Sequence, residues 1–294
     1  MPFRNRRPLT SRTNRHPNGN RRLRTGRTGD TLNFDTILYD LADGVATITL
    51  NRPDALNATN DQLYRELSGL LRQIDKNDEV GCVVLTGAGR GFCAGADVKS
   101  MNPDMPTLAR RKRHRWILAD VLKPLIELEK PVIAAVNGHA VGAGFNIALA
   151  ADILIASESA VFSQIFAKLA LVPDLGGLYL LTRVLGLNKA KELCFTAKKI
   201  SAVEAQALGI VNHVVAPDQL MVEALRMARE IAAGPATSLA MIKSLLNRSS
   251  TSTLDQMLEY ESYAQTVAYL TPEHKEGVAA FREKRAPRFR ANRD

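Results

Sequence analysis

Val83-Val84-Leu85-Thr86-Gly87, followed by Gly91-Phe92-Cys93-Ala94-Gly95-Ala96-Asp97, is an apolar run that breaks into a glycine-rich loop. The same arrangement recurs in Pro131-Val132-Ile133-Ala134-Ala135-Val136, followed by Asn137-Gly138-His139-Ala140-Val141-Gly142-Ala143-Gly144. Short β-branched runs bounded by glycine read as buried strands. Small residues in the loops let a ligand approach the main chain closely. If both loops then open helices, their unsatisfied N–H groups can converge on one developing negative oxygen, an oxyanion hole made of backbone. For either loop alone, a tight turn that serves only packing is the simpler account.

Outward from these loops the chain alternates. Residues 45–50 (VATITL) predict a strand, broken by Asn51-Arg52-Pro53. Residues 57–77 predict a helix with Leu63, Leu67, Leu70, Leu71 and Ile74 on one face. Further strands are expected over 80–86, 131–136 and 153–156, with a long helix over 107–129 and a short one over 145–150. Beyond Gly177 the pattern is mainly helical, over 177–185, 189–196, 202–208, 218–233, 235–247, 253–269 and 272–284. Strands alternating with helices and then a helical run predict an α/β core with a helical C-terminal region. The expected division is a disordered basic tail over 1–32, a core over 33–230 and a helical region over 231–294.

The 294 residues carry 39 Lys+Arg against 30 Asp+Glu, a net charge of +9. Nine arginines fall within residues 1–29, which hold no lysine and no acid, leaving 30 basic against 30 acidic residues from Asp30 onward. The body is formally neutral, so its charge gives no argument for nucleic acid. The tail lacks the apolar segment of a secretory signal and is expected to pack against nothing. Cys82, Cys93 and Cys194 have no metal-ligand spacing and cannot all pair, which favours a reducing, cytoplasmic compartment. The apolar stretch 132–156 is interrupted by Asn137, His139, Asn146 and Asp152, so no membrane span is expected there. Phe92 stands where a dinucleotide-binding G-x-G-x-x-G would need its last glycine. A P-loop lysine, H-E-x-x-H and G-x-S-x-G are all missing.

Taken together, the two strand–loop stretches resemble the paired signatures of the crotonase (enoyl-CoA hydratase/isomerase) superfamily. Asn51-Arg52-Pro53-Asp54-Ala55-Leu56-Asn57-Ala58 is similar to that family's strand exit, and Phe281-Arg282-Glu283-Lys284-Arg285-Ala286-Pro287 to its C-terminal helix end. The match is collinear over roughly residues 33–290. It implies an α/β spiral of ββα units with a C-terminal helical oligomerisation region that builds a homo-trimer or hexamer. It also implies an acyl-CoA thioester substrate, with coenzyme A entering as part of that substrate and no separate cofactor. The family's two oxyanion-hole N–H groups are carried over to Ala94 and Ala143, where alanine replaces the more usual glycine at 143. Coenzyme A contacts are carried over to Asp54, Ala55 and Leu56 along the pantetheine and to Ala96, Asp97 and Val98 near the adenine and thioester. Phe281 and Lys284 would reach the coenzyme A of a neighbouring subunit. Asp54 departs from the lysine that many family members carry.

The acid–base positions also depart from the pattern. Where a family hydratase has its two glutamates, this chain has Asn146 and Phe166. Neither accepts a proton usefully, so ordinary two-glutamate hydration is not expected. Asp174, in Leu169-Ala-Leu-Val-Pro173-Asp174-Leu-Gly-Gly177, is an acid in an apolar setting. Burial would raise its pKa towards useful proton transfer. Spacing alone equally allows it to cap the following helix. The segment resembles the branch holding the phenylacetate-pathway epoxide isomerase and Δ3,Δ2-enoyl-CoA isomerases, where an Asp at this place is the acid/base. Asn146 would orient substrate or Asp174, or cap its loop. The basic run 110–115 reads as a solvated helix face, with Trp116, Leu118 and Val121 packed inward. A hydratase or lyase with a non-standard acid, and a non-catalytic acyl-CoA- or RNA-binding protein, remain alternatives.

Overall fold

The computed structural model describes residues 34–290. The expectations for the tail over 1–32 lie outside the described residues. The chain opens with an antiparallel pair, β1 (Ile37–Ala42) and β2 (Val45–Leu50). Sequence reading missed β1, an edge strand whose side chains alternate only partly with burial. Its signal was Asp43-Gly44, both residues with positive φ, the preference of a two-residue hairpin turn.

Helix α1 (Asp61–Asp75) starts four residues later than expected. Asn57 is held left-handed, and Thr59 pairs with Ala96 as an isolated parallel bridge, so the chain cannot yet coil. Asn60 then caps the helix, its side chain accepting from the Leu63 N–H at 2.9 Å.

Three ββα units follow. The first is β3 (Cys82–Gly87), β4 (Gly91–Cys93) and a helical run of α2 (Thr107–Ile117), a π-turn at Leu118–Leu122 and α3 (Lys123–Glu127). The π-turn sits just before Pro124, whose missing N–H removes a normal helical bond. The second is β5 (Val132–Val136), β6 (His139–Val141) and α4 (Ala143–Leu149). The third is β7 (Ile153–Ser157), β8 (Val161–Ser163) and α5 (Gly177–Thr196), in which non-helical Gly186 divides the two helices expected from the sequence. After β9 (Ile200–Ser201), α6 (Ala202–Ala207), β10 (His213–Val215) and α7 (Leu220–Ala232), the chain ends in α8 (Ala236–Ser249), α9 (Leu254–Leu270) and α10 (Pro272–Glu283).

The long strands form a six-stranded sheet in the order β1-β2-β3-β5-β7-β10, and the short ones a four-stranded sheet, β4-β6-β8-β9. Apart from β1, the six-stranded sheet is parallel. Both its faces are covered. Cys82, Val84, Ile133, Ala135 and Ile155 meet Leu220, Ala224, Ala228 and Ala232 of α7. Val83, Leu85, Val132, Ala134 and Val136 turn to the larger core with α1 and the 117–125 helical run. That double burial is why these strands read as continuous apolar runs rather than alternating ones. Leu118, expected to pack inward, is exposed, because the π-turn rotates it off the face that buries Ile117 and Val121. Trp116 packs half-buried against the core.

Candidate active site

Each glycine-rich loop leaves the six-stranded sheet and crosses into the short strands, which bring the two loops side by side. Their approach admits no side chain. A β-carbon on Gly144 would lie 2.0 Å from the Cys93 carbonyl oxygen, and one on Gly95 would lie 2.8 Å from Val141 O and 3.7 Å from the Ala143 nitrogen. Gly95 also has φ of +96°, a conformation that favours glycine. Ala143 is the first residue of α4 and lies outside the positive-φ region, so alanine is tolerated there. As the first residue it has no carbonyl one turn back within the helix.

The first loop corrects one expectation. Ala94 does not offer a free N–H: it donates to the Leu56 carbonyl at 3.0 Å. Nor does this loop open an α-helix, since only a short 3-10 turn, Val98–Ser100, follows. Two residues on, the Thr59–Ala96 parallel bridge uses Gly95 C=O and Asp97 N–H, at 2.7 and 2.9 Å. In a parallel bridge the central residue's own polar groups face the other way. Among the described residues no acceptor takes the Ala96 N–H, and Ala96 is exposed.

Asn57 is wholly buried and locks the strand exit to this loop. Its amide donates to Ala88 O at 2.9 Å and Gly91 O at 2.7 Å, and its oxygen accepts from the Arg52 N–H at 2.8 Å. Asp97, expected near the adenine, has its carboxylate committed to Arg52 at 2.8 Å and to the Lys99 N–H at 3.1 Å. The Arg52 hydrogen bond holds that carboxyl below its ordinary range. Of the other residues assigned to coenzyme A, Asp54 and Ala55 form a 3-10 turn, and Leu56 follows in the left-handed region. Asp54 and Val98 are exposed, as are Phe281 and Lys284 at the end of α10.

Asp174 does not cap α5. The capping position is Gly176, with no side-chain bond. The Asp174 main chain is held instead, its carbonyl accepting from Gly177 N–H and from Asn146 Nδ2, each at 2.8 Å. Asn146 Oδ1 accepts from Gln164 Nε2 at 2.7 Å. Asn146 is thus a wholly buried clamp between α4, the strand-end Gln164 and the Asp174 loop. Gly177 is required beside it, because a β-carbon there would sit 2.4 Å from the Asn146 amide.

The Asp174 Oδ1 is buried, with no hydrogen-bond partner among the described residues. Burial pushes this carboxyl above its ordinary range, against the opposing pull of His114 and Arg113. Those two residues are half-buried, so the basic run is not uniformly a solvated face. Arg113 also bonds Asp61 at 2.6 Å. Phe166 is buried, and a β-carbon on Gly142 would lie 3.6 Å from its ring. Its apolar ring therefore walls the second loop. Sequence reading gave no role to Arg52, Thr59 or Gln164, which brace the loops through contacts distant in sequence, nor to Tyr64, whose hydroxyl holds Thr59 from five residues away.

A spiral of ββα units followed by a C-terminal helical run is the crotonase fold. The chain belongs to the enoyl-CoA hydratase/isomerase family, which it matches over residues 40–292. It is 41% identical over 260 residues to the 1,2-epoxyphenylacetyl-CoA isomerase of Escherichia coli (strain K12), covering 87% of this chain and 98% of that one. It is 40% identical over 256 residues to the short-chain-enoyl-CoA hydratase of Clostridium acetobutylicum, covering 86% and 97%. Among solved structures, a putative enoyl-CoA hydratase from Streptomyces coelicolor A3(2) superposes with a TM-score of 0.85 at 34% identity, covering 91% of this chain and 98% of that one.

Proposed function

We propose that this protein is an isomerase of acyl-CoA thioesters, shifting a double bond through a thioester enolate with Asp174 as the one acid/base. The observation that carries the reading is the buried, unpartnered Asp174 Oδ1 with its raised pKa. A desolvated carboxylate is a stronger base for a weakly acidic α-proton, and its raised pKa suits returning that proton at the γ-carbon. A double-bond shift needs one shuttling group, and Asn146 and Phe166 supply no second. The Ala96 N–H, taking the place first assigned to Ala94, pairs with Ala143 N–H to hold the enolate oxygen. The likeness to the epoxyphenylacetyl-CoA isomerase supports a single-acid isomerisation, and opening of a ring epoxide is a variant of the same chemistry.

Coenzyme A would run past Asp54, Ala55 and Leu56 and bind the main chain of Ala96, Asp97 and Val98. Phe281 and Lys284 would serve a neighbouring subunit's coenzyme A, in a homo-trimer or hexamer. The exposed Leu254, Tyr263 and Leu270 of α9 supply apolar surface for that assembly.

The test is separate incubation with a 3-enoyl-CoA and a 2-enoyl-CoA. The expected outcome is a double-bond shift that drops about 10²–10⁴-fold in Asp174→Asn with the fold intact. Hydration of the 2-enoyl substrate at an ordinary enzymatic rate, untouched by that substitution, would sink the isomerase reading in favour of a hydratase.

A further inference from the structure

Tyr64 and Thr59 touch neither Asp174 nor the second loop by any hydrogen bond, yet they grip the peptide on which the proposed oxyanion hole depends. Both are buried, Tyr64 on α1 and Thr59 just before it. The Tyr64 hydroxyl donates to Thr59 Oγ1 at 2.9 Å, and Thr59 Oγ1 donates onward to Gly95 O at 3.3 Å. The Thr59 N–H donates to the same oxygen at 2.7 Å. On the other side, Gly95 is boxed in by Val141 O, 2.8 Å from where a β-carbon would stand.

Gly95 C=O and Ala96 N–H are the two ends of one planar peptide. Fixing the carbonyl therefore fixes the direction of the N–H. Donors at the carbonyl also draw electron density from the amide and make its N–H a stronger donor, and hydrogen bonds in series polarise one another. Burial holds the Tyr64 phenol far above its ordinary range, so it stays a donor at working pH.

We propose that Tyr64 and Thr59 are positioning residues that orient and polarise the Gly95–Ala96 peptide as an oxyanion-hole donor to an acyl thioester. This rests on the oxyanion-hole reading given above. A tyrosine that only filled the core would need its ring and not its hydroxyl, and a threonine that only filled space would be matched by valine.

The test uses the full chain and butyryl-CoA labelled with ¹³C at the carbonyl, read by infrared difference spectroscopy. Wild type, Tyr64→Phe, Thr59→Val and Thr59→Ser are compared, with Kd and thermal midpoint measured on each. In the wild type the bound carbonyl band should move to lower frequency. Tyr64→Phe and Thr59→Val should lose part of that displacement at unchanged Kd, and Thr59→Ser should retain it. On a 3-enoyl-CoA the same two variants should lower kcat about ten-fold with KM unchanged, part of the roughly 10²–10³-fold lost when an oxyanion donor is removed outright. Should Tyr64→Phe fail to fold, the Thr59→Val and Thr59→Ser pair still decides. A wild-type displacement kept in full by both variants overturns the inference and leaves the oxyanion hole standing. An undisplaced wild-type band overturns the oxyanion-hole reading itself, and the inference with it.

Discussion

Asp174 couples folding to pH. Its carboxyl is raised by burial, so the folded state holds that proton more tightly than the unfolded chain does. Its contribution to stability is therefore fully present below the unfolded carboxyl pKa and is lost as pH rises through the folded one. Asp174→Asn, which removes the buried charge, should melt at or above the wild-type temperature at neutral pH, with the gap closing in acid. Thermal melts across pH check this, and a lower midpoint for the variant at pH 7 would contradict it. The pH profile of turnover should show its acidic limb displaced above the usual carboxylate range.

At the scale of elements, α4 and α5 meet through an amide and a glycine. Asn146 holds the Asp174 carbonyl and leaves no space for a side chain at Gly177. Gly177→Ala should cost about 1–3 kcal/mol, as forced overpacking does, read from denaturant midpoints. Asn146→Ala should release the loop that aims Asp174, lowering kcat more than it raises KM. A raised KM at unchanged kcat would mean that Asn146 acts on binding instead. Motif spacing identified both residues, but the role of Asn146 was legible only as a set of options. Its partners, Gln164 and the Asp174 main chain, lie 18 and 28 residues away.

Across the molecule, the C-terminal helices are fastened to the core by an ion pair whose lysine is buried. Lys243 of α8 lies 2.7 Å from Asp152, which also accepts the Val132 N–H at 2.7 Å. Lys243 donates as well to the Lys130 carbonyl at 3.2 Å. Lys243→Met takes a charged hydrogen-bond donor from Asp152, so it should destabilise by about 1.5–3 kcal/mol. Adding Asp152→Asn should recover part of that loss, and equilibrium unfolding of the single and double variants measures both. If Lys243→Met unfolds with the wild type, the latch carries no weight.

The charge of +9 pointed towards an anionic partner until its distribution confined the excess to the first 29 residues. The long apolar strands after β1, the helical C-terminal run and both glycine loops were legible in the sequence alone, because local periodicity and glycine placement encode them. Asp174 was singled out only by the family resemblance, spacing leaving it equally open as a helix cap. Tertiary structure decided which N–H is free. Ala94 and Ala96 are near neighbours of the same type, and only the distant carbonyl of Leu56 and the Thr59 bridge distinguish them. It also decided that Asp174 is a desolvated acid and not a helix cap, because burial is a property of what packs around a residue. No spacing in the chain records that.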